Sequence, residues 1–340
     1  MGPRSAKLRR PAVTLGQLAP VIGLVALVAV FSIMRPSTFP TTANLLIILN
    51  QASLLGMVAG GLTIALILGQ FDLSIGFTAS LGGIVATQWL DVVSVPVAVL
   101  LGIAAGLAVG LVNGILVAYV HVSAFIGTLG MGAIITGVIL RITGGRANTG
   151  LSADFTAIGR TELLGVPMLV WISAAVLFLL WLFVGRTEAG RRLDATGGNY
   201  EAARLAGINA RRYVAVGFVV SGCVAALAGT LAAARLGSAY PSAGDAYLLD
   251  AYTACFIGAV TYRRNEFHVG GTVVGVLILA TVFNGLAQLG VEAYWQNIVK
   301  GGILIASVAA AGMSERLPSI RLRRRPAVPT QDTIPARVNI

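Results

Sequence analysis

Charge is what this sequence has least of. Only 11% of its 340 residues are charged, against about 25% in ordinary globular domains. Just two lysines occur, Lys7 and Lys300, and neither follows the glycine spacing of a phosphate-cradling loop. That excludes nucleotide binding through a P-loop. The two histidines, His121 and His268, each fall at an expected loop, and the two cysteines, Cys223 and Cys255, lie inside apolar runs. Neither a metal cluster nor a disulfide framework is indicated. Acidic residues are nearly absent from the apolar runs, with Asp72 at the end of one and Asp250 near the start of another. Ion-coupled carriers depend on ionisable groups inside the membrane, so a self-energised secondary transporter is disfavoured. No set of nucleophile, base and orienting group is visible, which argues against an enzyme.

Apolar residues are what the chain has instead. They make up 56% of it, the mean hydropathy is +0.86, and there are 42 glycines. A bilayer needs about 20 apolar residues per helical span, and small residues let such helices approach closely. Ten runs bounded by charge, proline or glycine qualify as candidates: 18–34, 45–68, 75–90, 96–118, 124–142, 167–184, 213–234, 249–262, 269–289 and 296–313. The expectation is an all-α polytopic membrane protein with about ten transmembrane helices. The basic start resembles a signal peptide, but no small-x-small cleavage site follows in "FSIMRPSTFP", and the run at 18–34 reads as a retained first span.

The net charge of +11 would suggest nucleic acid in a soluble protein. Its distribution gives a different answer. With the N-terminus cytoplasmic and ten spans, 18 of the 24 basic residues fall on the cytoplasmic side, as the positive-inside rule requires. They include Arg186, Arg191, Arg192, Arg204, Arg211, Arg212, Arg263 and Arg264. An odd span count would destroy the asymmetry. The expected organisation is a basic cytoplasmic N-terminus at 1–17, a transmembrane unit at 18–313 and a basic, disordered cytoplasmic tail at 314–340.

One internal cytoplasmic loop, 185–212, is longer than a connection needs to be. Within "GRRLDATGGNYEAARLAGINARRY", Asn199 can cap a helix starting at Tyr200, with Glu201 favourable in its first turn. Gly207 suits the left-handed residue that ends one. The two-turn helix shows Ala202, Ala203, Leu205 and Ala206. It is either a helix lying on the membrane surface or a knob that docks on a cytoplasmic partner.

A faint echo also runs through the chain. "GLVNGILVAYVHVSAFIGTLG" and "TVFNGLAQLGVEAYWQNIVKG" each carry Asn-Gly inside a span, then an aromatic-led next span. In the ten-span topology the two copies run in opposite directions, as inverted repeats of transporters do. The polar residues best placed to face a path are Asn50, Gln51, Thr128, Asn284 and Gln288; glue between packed helices is the competing role for each.

Four ordered stretches carry a family resemblance. "EAARLAG", within the 185–212 loop, resembles the E-A-A-x-x-x-G segment of ABC importer permeases. The fuller "GRRLDATGGNYEAARLAGI" is similar to the ribose-type, monosaccharide branch of that family. "LGQFDLSIGFTASLGG" resembles that branch's G-G-x-D-L-S-V-G segment, and "NGILVAYVHVSAFIGTLGM" its N-G-x-L-V and F-I-x-T-L-G-M segments. "SGCVAALAGTLAAARLGSAYPSAGDAYLLDA" resembles its S-G-x-x-A-A-L-A-G and L-D-A pattern. Gly69-Gln70 replaces the usual glycine pair, the I-x-L-P continuation of the classical loop is absent, and "TYRRNEFHVGG" stands where a Gly/Ser-rich turn is common.

The resemblance implies a permease subunit of a bacterial inner-membrane importer for a monosaccharide, polyol or similar small polar solute. Nucleosides and branched-chain amino acids are the alternative cargoes within the fold. By resemblance, Asn199, Glu201, Ala202, Ala203, Arg204, Leu205 and Gly207 seat in a cytoplasmic ATPase, and Asp72, Leu73, Ser74 and Gly76 belong to a gating motif; capping of the third span through Ser74 and the backbone is the competing role for Asp72. Arg235, Asp245 and Asp250 stand at an outer face that receives an extracytoplasmic binding protein, or form a solvated rim there. The implied assembly holds a second permease copy among membrane lipids. The chain itself binds no cofactor, and ATP is used by the partner.

Overall fold

The computed structural model describes residues 15–260 and 266–316. The basic stretch at 1–14, the turn holding Arg263 and Arg264, and the tail beyond 316 lie outside the described residues. Each of the ten apolar runs becomes a helix: α1 (Leu15–Met34), α2 (Thr42–Ile67), α3 (Ile75–Gln88), α4 (Val95–Ala118), α5 (Ala124–Thr143), α7 (Met168–Arg186), α10 (Ala210–Leu236), α11 (Asp245–Ala259), α12 (Val269–Gln288) and α13 (Ala293–Arg316). Between them lie α6 (Ala153–Arg160), α8 (Glu188–Gly198) and α9 (Tyr200–Leu205). Two tiny antiparallel sheets complete the fold. One pairs β1 (Asn148–Thr149) with β4 (Ser238–Ala239), the other β2 (Glu162–Leu163) with β3 (Val166–Pro167).

The runs are not ten equal spans. Among the described residues six helices are long and apolar enough to cross a bilayer: α2, α4, α5, α7, α10 and α12. α3 and α11 have only 14 and 15 residues, short of the roughly 20 a span needs. The cause is local. α2 stops at Leu68-Gly69 and α10 at Leu236-Gly237, where Gly69 (φ 70°) and Gly237 (φ 73°) are left-handed, a conformation that costs glycine nothing. In both places a non-helical stretch follows before the next helix begins, between the apolar runs rather than inside them.

α2 and α10 form the centre. From Ala52 to Leu66 every residue of α2 is buried, as expected of a helix apolar on all sides. α10 packs on α2, α3 and α4. Where α4 crosses α10, a Cβ on Gly106 would collide with the carbonyl of Gly222, and the reverse holds for Gly222. The helices meet backbone to backbone, the close approach that small residues permit. α4, α5 and α7 lie outside this core and expose Leu100, Ile126, Leu129, Phe178 and Leu179, apolar surface fit for lipid.

Candidate coupling and gating site

The segment after Gly69 is non-helical and turns inward, carrying Asp72 into the bundle beside the middle of α10. Asp72 is 2% exposed. One carboxylate oxygen accepts from the Ser74 amide (3.1 Å) and hydroxyl (2.6 Å), and the other accepts from the Ser221 hydroxyl at 2.9 Å. The first pair holds the turn that launches α3; the third ties it to α10. Asn113 of α4 donates to Ser74 Oγ at 2.8 Å. Thr128 of α5 accepts from the Leu73 amide at 2.9 Å. One short turn is thus bonded to α4, α5 and α10 at once. Gly76 is where this turn meets the other short helix: a Cβ there would sit 2.7 Å from the Gly244 carbonyl, and the Gly244 amide donates to Ser80 Oγ at 2.8 Å. The starts of α3 and α11 therefore abut inside the protein.

The long polar loop is more helical than its composition suggests. Thr187 caps α8 by accepting from the Gly190 amide at 3.0 Å. α8 buries Gly190, Leu193 and Thr196, and Gly197 packs so tightly on the carbonyl of Ile67 that a Cβ has no room. α8 is a bracket that fixes the loop to the end of α2. Asn199 then caps α9, its side chain accepting from the Ala202 amide at 2.9 Å, and Gly207 is left-handed at φ 80°. Glu201 and Arg204 pair with each other on the surface. α9 is a single short helix, and its two faces differ. Leu205 is 83% exposed and Ala202 is exposed beside it, whereas Ala203 is only 4% exposed and packs inward. A partner can touch Ala202 and Leu205. A substitution at Ala203 disturbs the bundle first.

A cavity of about 390 Å³ joins the two features. Gln70 and Phe71 of the inward-turning segment line one side, Tyr200 of α9 another, and His121, Ser123 and Phe125 of the α4–α5 turn a third. His121 holds a left-handed backbone at φ 63°, uncommon outside glycine though less so for histidine. Phe71 also stacks on Tyr252 of α11, with ring centroids 6.1 Å apart.

The residues expected to face a path do not converge, and none lines this cavity. Thr128 is fully buried and serves the Leu73 turn. Asn50 accepts from Arg235 at 3.1 Å. Asn284 accepts from Gln288 at 3.1 Å, and Gln288 in turn accepts from Thr38 at 2.7 Å. Each of these bonds is interhelical or local. Gln51 is exposed. Of the three rim residues only Asp245 is exposed. Arg235 is half-buried on Asn50, and Asp250 forms an ion pair with Lys300 at 2.9 Å, beneath which the Phe283 ring lies 4.9 Å away. Ser221 and Asn113 are the members that sequence reasoning left unassigned. Asn113 did stand out there, as a polar residue inside an apolar run.

A helical bundle with several membrane-length spans, a buried polar turn and a helical bracket at one end fits a transport permease. The comparison with known proteins agrees. Residues 44–308 match the family described as branched-chain amino acid transport system / permease component, and the chain belongs to that family. It is 37% identical to the ribose import permease protein RbsC of Bacillus subtilis over 86% of this chain and 91% of that one. It is 35% identical to the D-allose transport system permease protein AlsC of Escherichia coli, over 84% and 88%. Identity to the L-arabinose transport system permease protein AraH of Escherichia coli is 36%, over 75% and 78%. No solved structure matches. The chain is a multi-pass protein of the bacterial cell membrane.

Proposed function

We propose that this chain is the membrane-spanning subunit of an ABC importer for a monosaccharide or similar small polar solute. Relatives that import ribose, allose and arabinose support a sugar over the branched-chain amino acid in the family's description. A cytoplasmic ATPase, an extracytoplasmic binding protein and a second permease copy complete the machine. This chain supplies no nucleotide site; the energy enters through α9. Both termini and the α8–α9 bracket lie in the cytoplasm, where the arginines hold them.

One observation carries the reading: Tyr200 of α9 lines the same cavity as Gln70 and Phe71, which lead directly into the Asp72 turn. Displacing α9 therefore acts on the segment that orders α3, α4, α5 and α10. Movement of packed helices as bodies is a recognised mode of switching. An inverted repeat underlies the arrangement. α2 and α10, of 26 and 27 residues, each end in Leu-Gly and lead through a non-helical turn to a short helix. The Asn-Gly pairs of α4 and α12 then occupy matching positions one helix later. Abutting starts of two broken helices are also where transporters of this build place their working groups.

The test is Leu205→Arg in the complete transporter. An exposed leucine tolerates arginine in isolation, so the subunit should insert and fold normally. Seated in a partner's cleft, the unpaired charge should weaken co-purification with the ATPase at least ten-fold, which needs only about 1.4 kcal/mol, and uptake of labelled sugar should fall with it. Undiminished co-purification and uptake would remove α9 from the coupling route.

A further inference from the structure

The hairpin between α6 and α7 has an apolar tip that the fold itself does not use. β2 and β3 pair Glu162 with Pro167 and Leu163 with Val166, leaving a two-residue turn of Leu164 and Gly165. Both turn residues are left-handed, at φ 56° and 73°. Such turns favour Asn-Gly or Gly-Gly, and a left-handed leucine is locally unfavourable. Yet Leu164 is 86% exposed and Leu163 is 47% exposed. A costly conformation thus displays a large apolar side chain that the rest of the fold leaves largely uncovered.

The tip lies beside the start of α7. Trp171, in the first turn of α7, donates its indole N–H to the Leu163 carbonyl at 3.2 Å. The hairpin is therefore tied to the start of α7 at the level of that ring. α7 is among the most apolar helices, and only 17% of its span is buried in the protein. Its exposed stripe runs from Trp171 through Ala174 and Ala175 to Phe178 and Leu182, spacings that share one helical face. Tryptophan gathers at the boundary between headgroups and hydrocarbon. The tip, with its Leu163 carbonyl bonded to such a ring at the start of an exposed apolar stripe, sits where that boundary would fall.

We propose that the Leu163–Leu164 tip is an interfacial anchor that enters the bilayer beside α7. Its occupant is lipid. The anchor has a mechanical use, because α6 grips the end of α10: Arg160 donates to the carbonyls of Arg235 and Leu236, both at 3.0 Å. The bilayer surface thereby sets the position of the turn that follows α10. The proposal rests on α7 crossing a membrane and is independent of the solute carried.

The test places an environment-sensitive fluorophore at Leu164→Cys in the full chain, with Cys223 replaced by alanine and Cys255 left buried, reconstituted in phosphatidylglycerol–phosphatidylethanolamine vesicles. The comparator carries the same dye at Asp154→Cys, an exposed position on α6. Emission at 164 should be blue-shifted, quenched by spin-labelled lipid, and several-fold less quenched by iodide than at 154. A second variant guards against effects of the dye. Leu164→Asn suits the left-handed turn and keeps the hairpin, so a dye at Leu163→Cys should become more accessible to iodide in that background. Equal iodide quenching at 164 and 154, or shielding that appears only when a binding protein is added, would overturn the proposal.

Discussion

At the scale of single residues, the bond from Ser221 to Asp72 shows how little of the site can be read from neighbours in sequence. The pairing of Asp72 with Ser74 is legible at a glance, because an acidic residue two positions before a serine at a helix start satisfies free amides. Ser221 is 149 residues away, one hydroxyl in a run of small residues, and only packing of α3 on α10 brings it there. Removing it tests how much the contact contributes. Ser221→Ala leaves a carboxylate oxygen short of a donor inside the protein, where a hydrogen bond to a charged group is worth about 1.5–3 kcal/mol. The midpoint of thermal unfolding in detergent should fall measurably. Ser221→Thr, which keeps the hydroxyl, should recover much of that loss if the added methyl is accommodated. An alanine variant as stable as the parent would show that the turn is held from Ser74 alone.

At the scale of elements, every apolar run becomes a helix, and the cap at Asn199 and the left-handed end at Gly207 fall where local chemistry puts them. Three things were not legible. α8 is rich in charge and carries no apolar run, so its burial of Leu193 became visible only through its contact with the end of α2. The dip of the chain into the bundle just before α3 and α11 has no mark in hydropathy, although the shortness of both helices is already visible in the runs at 75–90 and 249–262. Ala203 and Leu205 look alike in a list of small and apolar residues, yet one faces in and the other out. The Gly207 position offers a way to separate strain from docking. A side chain there meets open space, so size is not the obstacle; the backbone is. Gly207→Leu should cost about 1–2 kcal/mol for the left-handed conformation, whereas Gly207→Asn should cost much less. Limited proteolysis across 199–212 should rank them parent, Asn, Leu in rising susceptibility. Equal resistance of the leucine and asparagine variants would show that the turn changes shape to suit its residue.

At the scale of the molecule, the expected topology makes a sharp claim about sides. Asp154 of α6 and Asp194 of α8 are both exposed, and in that topology the one crossing between them, α7, puts them in opposite compartments. Cysteines placed at 194 and 154 should react with an impermeant maleimide from the cytoplasmic side and the external side respectively. Labelling of both from one side would overturn the orientation drawn from the arginines.

The ion pair between Asp250 and Lys300 gives the whole molecule a chemical handle. Only two lysine side chains exist in the chain, and Lys300 is committed to a carboxylate on a different helix, with its side chain 27% exposed. An ammonium held in that way is a poor nucleophile. Acylating reagents, which ordinarily decorate a protein at random, should find this site slow to react while α11 and α13 stay together. The bond thus turns an unselective reagent into a clock for the separation of two helices, with no residue altered.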